Sequence, residues 1–211
     1  MREHIPWPSM RRSLVAILRG LQTHETAATI GALVEAGFEA IEIPLNSPDP
    51  FESIRVAVDN APPDCLIGAG TVLTLADVER LAEAGGRLMV SPNVDPEIIA
   101  AAADCEMVTM PGVFTPTEAL SAVAAGASGL KFFPANVLGP SGISAIRAVL
   151  PNDIEIGAVG GVSHDSFEAY KKVGVRTFGL GSSLYKPGMN VDEVAERARI
   201  SVAAYDAVFG G

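Results

Sequence analysis

Lys131 stands in the run Gly129-Leu-Lys-Phe-Phe-Pro134, otherwise built from apolar residues and glycine, and it is one of only four lysines in the chain. A strand that carries a lysine into an apolar interior takes its ammonium group out of water, which makes the neutral amine easier to reach. A neutral amine beside a keto compound can form an imine, and the imine then acts as an electron sink while a C–C bond breaks. Glu42 lies in a similar run, Glu39-Ala-Ile-Glu-Ile-Pro44. Such a cleavage needs a base to take a hydroxyl proton and an acid to protonate the enamine left behind; one carboxyl of raised pKa can do both. The alternative is electrostatic: Lys131 pairs with a carboxylate or points out between helices, and Glu42 only neutralises Lys131 or Arg19.

Other residue types suit ligand binding. Arg19 follows Ala16-Ile17-Leu18, and its planar fork fits a carboxylate or a phosphate, although a strand-end arginine can also simply reach solvent. Thr71 closes Gly68-Ala-Gly-Thr71, where glycines allow close backbone approach and the hydroxyl can bind a ligand; a tight turn with Thr71 as a helix cap is the alternative. Two glycine turns, Gly160-Gly161-Val162 and Gly181-Ser182-Ser183, come late in the chain. Successive N–H groups in such turns can converge on an anion, with a serine hydroxyl as a further donor. The histidines His4, His24 and His164 show no metal-ligand spacing, and there is no P-loop, GxGxxG fingerprint or GxSxG elbow, so a metal-dependent mechanism is disfavoured.

These residues need elements to hold them. Short apolar runs recur at Leu14–Leu18, Ala40–Leu45, Leu66–Ala69, Arg87–Ser91, Met107–Pro111, Gly129–Pro134, Glu155–Val159 and Arg176–Leu180. Several are apolar on successive residues, the pattern of parallel strands covered on both faces. The segments between them read as helices: Thr23–Ala36 with a Thr cap and Gly37 as its stop, Thr74–Ala84, Thr115–Ala125 with Pro116 at its first turn, and Asp165–Val173 ending before Gly174. Eight strand–helix steps predict a single-domain (β/α)8 TIM barrel over residues 1–211, with a doubly wound open sheet as the competitor. Met1–Ser13 is expected to form a short helix closing the barrel bottom, and Asp192–Val208 a terminal helix. In such a barrel the site gathers at the C-terminal ends of the strands. Reading only those ends returns Arg19, Glu42, Thr71, Asn93, Lys131, Gly160, Gly161, Gly181 and Ser182.

Composition narrows the setting. The chain has 211 residues, 48% hydrophobic and 19% charged, with a formal net charge of -10, which argues against disorder and against a nucleic-acid or anionic-membrane surface. Cys65 and Cys105, with no CxxC spacing, read as buried thiols of a reducing compartment. The first ten residues have no apolar signal-peptide region, and no stretch reaches membrane-spanning length. The expectation is a cytoplasmic protein.

The motifs carry a resemblance across about Leu14 to Tyr185. Ala16-Ile-Leu-Arg-Gly20, Ile41-Glu-Ile-Pro-Leu-Asn-Ser-Pro48, Gly68-Ala-Gly-Thr-Val-Leu73, Pro111-Gly-Val-Phe-Thr-Pro-Thr-Glu118, Leu130-Lys-Phe-Phe-Pro-Ala135 and Val159-Gly-Gly-Val162 together resemble the 2-keto-3-deoxy-6-phosphogluconate and -galactonate aldolase family. The resemblance implies a class I aldolase that releases pyruvate and glyceraldehyde 3-phosphate, needs no cofactor and assembles as a homotrimer. It implies Lys131 as the imine lysine and Glu42 as the acid/base. Thr71 would help to hold the pyruvate moiety with Arg19 nearby, and the turns at Gly161 and Gly181-Ser182 would take the phosphate. Gluconate-type members read Glu-Val-Thr-Leu-Arg after the acid, whereas this chain has Glu-Ile-Pro-Leu-Asn with Asn46 in place of that arginine. That departure resembles the galactonate branch and leaves Arg19 as the carboxylate clamp, while Phe132-Phe133 also occurs in gluconate-type members. Gluconate-type cleavage with 4-hydroxy-2-oxoglutarate side activity is therefore the alternative. A phosphosugar isomerase or epimerase on the same barrel is the rival of a different reaction class.

Overall fold

Runs that are apolar on consecutive residues become strands here because helices cover one face and the barrel interior the other. The computed structural model describes residues 5–210. Its strands are β1 (Leu14–Ile17), β2 (Ala40–Pro44), β3 (Leu66–Gly70), β4 (Leu88–Val90), β5 (Val108–Met110), β6 (Gly112–Val113), β7 (Gly129–Phe132), β8 (Glu155–Val159) and β9 (Thr177–Leu180). They form one nine-stranded sheet in the order β5-β4-β3-β2-β1-β9-β8-β7-β6, parallel throughout. Its two edges, β5 and β6, are neighbours in the chain, so a single stave interrupted at Pro111 closes a (β/α)8-type barrel.

That interruption is the one departure from the expected strand pattern. Proline has no N–H to give to a ladder, and the run expected over Met107–Pro111 breaks there and resumes at Gly112. The seam is closed by other groups. Thr109 N donates to Ser128 Oγ at 2.9 Å and Ser128 N donates to Thr109 Oγ1 at 3.1 Å, a buried reciprocal pair. The carbonyl of Pro111 accepts from Lys131 N at 2.9 Å.

Outside the barrel lie α1 (Thr23–Ala36), α2 (Pro50–Asn60), α3 (Leu75–Glu83), α4 (Pro96–Asp104), α5 (Pro116–Ala124), α6 (Ala135–Arg147), α7 (Phe167–Lys171) and α8 (Val191–Phe209), with a 3-10 turn at His164–Ser166 before α7. Their starts follow local chemistry. Thr74 and Asp77 cap α3 reciprocally, as Thr115 and Glu118 cap α5, each hydroxyl and carboxylate accepting from the other residue's N–H. At α1 the expected Thr23 cap is corrected: Gln22 is the capping position and Thr23 the first helical residue, with its hydroxyl 3.0 Å from Ser53 Oγ.

The strand alternation divides the apolar core in two. Leu14, Ala16, Ile41, Ile43, Leu130 and Phe132 join the large cluster under the helices. Val15, Ala40, Leu66, Leu88, Val90, Val108 and Met110 fill the lower barrel, where Ile5, Trp7 and Met10 pack against them. The short N-terminal helix expected over Met1–Ser13 is not formed in Ile5–Ser13, which runs as an irregular strap across the barrel bottom; Met1–His4 lie outside the described residues. Pro6 and Pro8 remove backbone donors from the strap, which works against a helix. Cys65 is buried as expected, but Cys105 is exposed just beyond α4, a correction to the reading of both thiols as interior. Among the described residues no helix is long and apolar enough to cross a membrane.

The strap is tied down by charge. Arg12 Nε and Nη2 donate to the two carboxylate oxygens of Asp206 on α8 at 2.7 and 2.6 Å, and the hydrogen bond from Arg12 holds the Asp206 carboxyl below its ordinary range. A group of lowered folded-state pKa stabilises fully above its unfolded value and loses that contribution as pH falls through the folded one. Arg12→Met should therefore lower Tm near neutral pH, by an amount equivalent to about 1 kcal/mol. Calorimetry should show the gap to the parent protein narrowing below about pH 4, where Asp206 takes up its proton. A gap unchanged down to pH 3 would mean that the lost packing of the arginine stem, and not the ion pair, sets the effect.

Candidate active site

Barrel strands point alternate side chains inward, and that alternation places Ile17, Glu42 and Lys131 on the interior above the apolar plug. Ile17 is in register with Glu42 across β1 and β2, and Lys131 lies between Gly112 of β6 and Gly157 of β8. Glu42 and Lys131 line one cavity at the C-terminal ends of the strands, together with Arg19, Phe133 and the two glycine turns. Their exposures are 2% and 6%, so neither ion has its normal hydration. Burial raises the Glu42 carboxyl to about 7, against the pull of Lys131 and Arg19. Burial also lowers the Lys131 ammonium, opposed by Glu42 and assisted by Arg19. Both shifts favour a neutral acid facing a neutral amine, the protonation states that an imine-forming site requires.

The walls around the pair are shaped to admit it. A Cβ on Gly70 would sit 1.9 Å from Glu42 Oε2, so the carboxyl rests directly on the β3 backbone, a contact only glycine permits. Glu42 Oε2, the oxygen against that backbone, is buried without a hydrogen-bond partner among the described residues, an acceptor the fold itself leaves unsatisfied. The Phe133 ring stands over Lys131 Nζ, 4.8 Å from centroid to nitrogen. That aromatic face supports the cationic form of the nitrogen, ammonium or iminium alike.

The two glycine turns, after β8 and β9, stand on the same side of the cavity as Lys131. Gly160 and Gly161 both have positive φ, +93 and +68, conformations that glycine adopts without strain. Gly160, Gly161 and Val162 line the cavity beside Gly181 and Ser182. The two turns are fastened to each other by Ser183, whose hydroxyl donates to the carbonyl of Val162 at 3.0 Å. The Gly181 carbonyl accepts from Leu184 N at 2.8 Å and Tyr185 N at 2.9 Å, which closes the second turn. Arg19 stands at the rim, with Nη1 donating to Asn46 Oδ1 at 2.7 Å.

Of the expected residues, Arg19, Glu42, Lys131, Gly160, Gly161, Val162, Gly181 and Ser182 thus share one cavity. Thr71 lies just beyond it, half-buried at the end of β3 with φ +58, an unusual conformation for a β-branched residue. Asn93 is outside the lining as well, its carbonyl accepting from Ser91 Oγ at 2.7 Å. Sequence reasoning passed over Ile17, Phe133, Val159 and Gly179, which also line the cavity. Period-2 alternation along β1, β8 and β9 was a signal for Ile17, Val159 and Gly179, since each follows an inward position by two; Phe133 lies past the strand end, where no such signal exists. Among the described residues no group of His, Cys, Asp and Glu is arranged to hold a metal ion.

Comparison with known proteins agrees with this geometry. The family model described as "Aldolase: KDPG and KHG aldolase" matches residues 9–202. A probable 2-dehydro-3-deoxy-6-phosphogalactonate aldolase of Rhizobium meliloti (strain 1021) is 69% identical over 209 residues, 99% of each chain. The 2-dehydro-3-deoxy-6-phosphogalactonate aldolase of Escherichia coli (strain K12) is 46% identical over 192 residues, 91% of this chain and 94% of that one. A solved structure described as native KDPGal superposes with a TM-score of 0.93 at 44% identity, covering 97% of this chain and 98% of that one. With a barrel whose interior couples a lysine to a carboxyl, and with matches that span nearly its whole length, the chain belongs to the KDPG and KHG aldolase family of lyases.

Proposed function

We propose that this chain is a class I aldolase that cleaves 2-dehydro-3-deoxy-6-phosphogalactonate to pyruvate and glyceraldehyde 3-phosphate. The observation that carries the reading is the buried Lys131–Glu42 couple sharing a cavity with two glycine turns. Neutral Lys131 Nζ attacks the C2 carbonyl, and the protonated Glu42 carboxyl gives its proton to the carbinolamine hydroxyl, which leaves as water to yield an iminium and an ionised Glu42. The ionised Glu42 carboxylate takes the proton of the C4 hydroxyl as the C3–C4 bond breaks. The bond's electrons pass into the iminium to give an enamine, and the aldehyde product leaves. Glu42 returns the same proton to C3, and water hydrolyses the resulting pyruvate iminium, its released proton going back to Glu42 as Lys131 is freed as the neutral amine. Protons and electrons balance without a cofactor.

The remaining residues hold the two ends of the substrate. Arg19, with its fork at the rim, takes the C1 carboxylate. Thr71 helps to hold the pyruvate moiety from the end of β3. N–H groups of Gly160, Gly161, Val162, Gly181 and Ser182, with the Ser182 hydroxyl, take the phosphate. The preference for the galactonate over its C4 epimer is supported by the two relatives named for the galactonate and by Asn46 in place of an arginine. We read residues 1–211 as a single catalytic domain, working as a homotrimer in the cytoplasm. Leu73, Leu75, Phe114 and Leu120 are large apolar side chains left exposed around the β3–α3 and β6–α5 connections, which supports a subunit interface there. Sedimentation at three times the chain mass is the expected result.

Incubation with pyruvate and sodium borohydride should add a lactyl-sized mass to a peptide containing Lys131. Folded protein that gains no adduct would move the assignment to the isomerase class. Lys131→Ala should abolish turnover. Glu42→Gln should lower kcat by about 100-fold or more while still permitting some trapping, and should flatten any limb of the pH–rate profile near 7. Gly70→Ala, which pushes a methyl into the Glu42 carboxyl, should reproduce much of that loss in kcat with the chain folded; full activity would show that Glu42 has room to work elsewhere. Ser182→Ala should raise KM for the phosphorylated substrate, and an equal loss on an unphosphorylated analogue would argue against a phosphate role. Comparison of kcat/KM on the two C4 epimers decides between galactonate and gluconate.

A further inference from the structure

Arg19 is the cation at the rim of the cavity, and as an exposed arginine it carries enough rotamer freedom to leave the site altogether. Two contacts from the loop after β2 prevent this. Ser47, buried at 8% exposure, accepts from Gly20 N through its hydroxyl at 2.9 Å and so fixes the backbone beside Arg19. Asn46 Oδ1 accepts from Arg19 Nη1 at 2.7 Å and fixes the guanidinium itself. The loop that presents them is rigid in turn: Leu45 N donates to Gly70 O at 2.8 Å, prolonging the β2–β3 ladder, and Ser47 N donates to Pro44 O at 2.9 Å, closing a tight turn.

We infer that Asn46 is a positioning residue that holds the Arg19 fork over the cavity, so that its remaining N–H groups meet the substrate carboxylate. The inference rests on the aldolase reading above. A neutral amide suits the task chemically. It accepts one hydrogen bond from the guanidinium while leaving its positive charge unspent, whereas a carboxylate at the same place would pair with the fork and compete with the substrate. Asn46 acts through Arg19 and touches none of the reacting atoms.

The test uses the full-length protein with pyruvate as the probe, trapped by borohydride over a range of concentrations, beside steady-state kinetics on the phosphorylated sugar acid. Asn46→Ala should raise the half-saturating pyruvate concentration and KM by roughly three- to tenfold, with kcat changed by less than about twofold. Asn46→Asp should be worse than Asn46→Ala in the same readouts, although it is the closer match in shape. In an Arg19→Ala background both substitutions should have no further effect, because the residue they act through is gone. An Asn46→Asp variant that behaves like the parent protein, or losses of equal size with and without Arg19, would overturn the inference. If the parent protein itself traps no pyruvate, the aldolase reading fails and this inference falls with it; if it traps normally, only the role of Asn46 is at stake.

Discussion

Everything at the top of this barrel follows from burying an amine and a carboxyl together. As separate ions in an apolar interior, Lys131 and Glu42 would each forfeit several kcal/mol of hydration. As a neutral acid and a neutral amine they avoid most of that cost, and their opposite pKa shifts go in that direction. The chemistry needs the same compromise. An amine protonated at all times cannot attack a carbonyl, and a carboxyl ionised at all times cannot return a proton to carbon. The environment that makes the pair tolerable is thus the one that would make it reactive in the proposed mechanism, and a salt bridge at the surface would be neither.

The sheet carries the consequences. Two inward ionisable groups need inward neighbours small enough to leave space, and three of the four residues in register beside them are glycines: Gly68 beside Glu42, whose other neighbour is Ile17, and Gly112 and Gly157 beside Lys131. Below them the interior is filled by Val15, Leu66, Leu88, Val90, Val108 and Met110, which bars water from the bottom. The barrel also has to close around the pair, and it does so at its weakest seam. β5 and β6 meet at Pro111, whose missing donor is compensated by the Ser128–Thr109 exchange and whose carbonyl holds the backbone of Lys131. The buried lysine is therefore anchored by the stave that breaks the ladder.

What could be read from the sequence follows from which of these constraints are local. Consecutive apolar residues bounded by glycine and helix caps are a local signal, and every expected strand is present to within one or two residues at each end. An ionisable residue inside such a run is equally visible, which is why Lys131 and Glu42 stood out and why their shared cavity follows once the strands close. Features that depend on tertiary neighbours were hidden. Nothing local marks Thr109 and Ser128 as partners across a seam, or shows that the Ile5–Ser13 strap is held by Arg12 and Asp206, 194 residues apart. Cys105 sits beside apolar residues in sequence, yet it follows the end of α4 and emerges into solvent. Thr71 follows a glycine-rich strand end, and neither its positive φ nor its position just beyond the lining has a local cause.

On the proposed reading, the cavity lets an acidic chain bind an anion twice. With a net charge of -10, a cluster of lysines and arginines around the site would have been the obvious electrostatic answer. The cavity is instead lined by a single arginine at its rim and by the two glycine turns beside Lys131, to which the proposal gives the phosphate. A lysine-rich cradle would depress the Lys131 pKa further by like-charge repulsion, as Arg19 already does in part, and would hold Glu42 in its ionised form. N–H dipoles bind a phosphate at short range without adding a full charge to the cavity, so the protonation balance of the pair is left almost undisturbed. In the proposed mechanism the shape of the glycine turns is thus a condition for the proton chemistry as much as for binding.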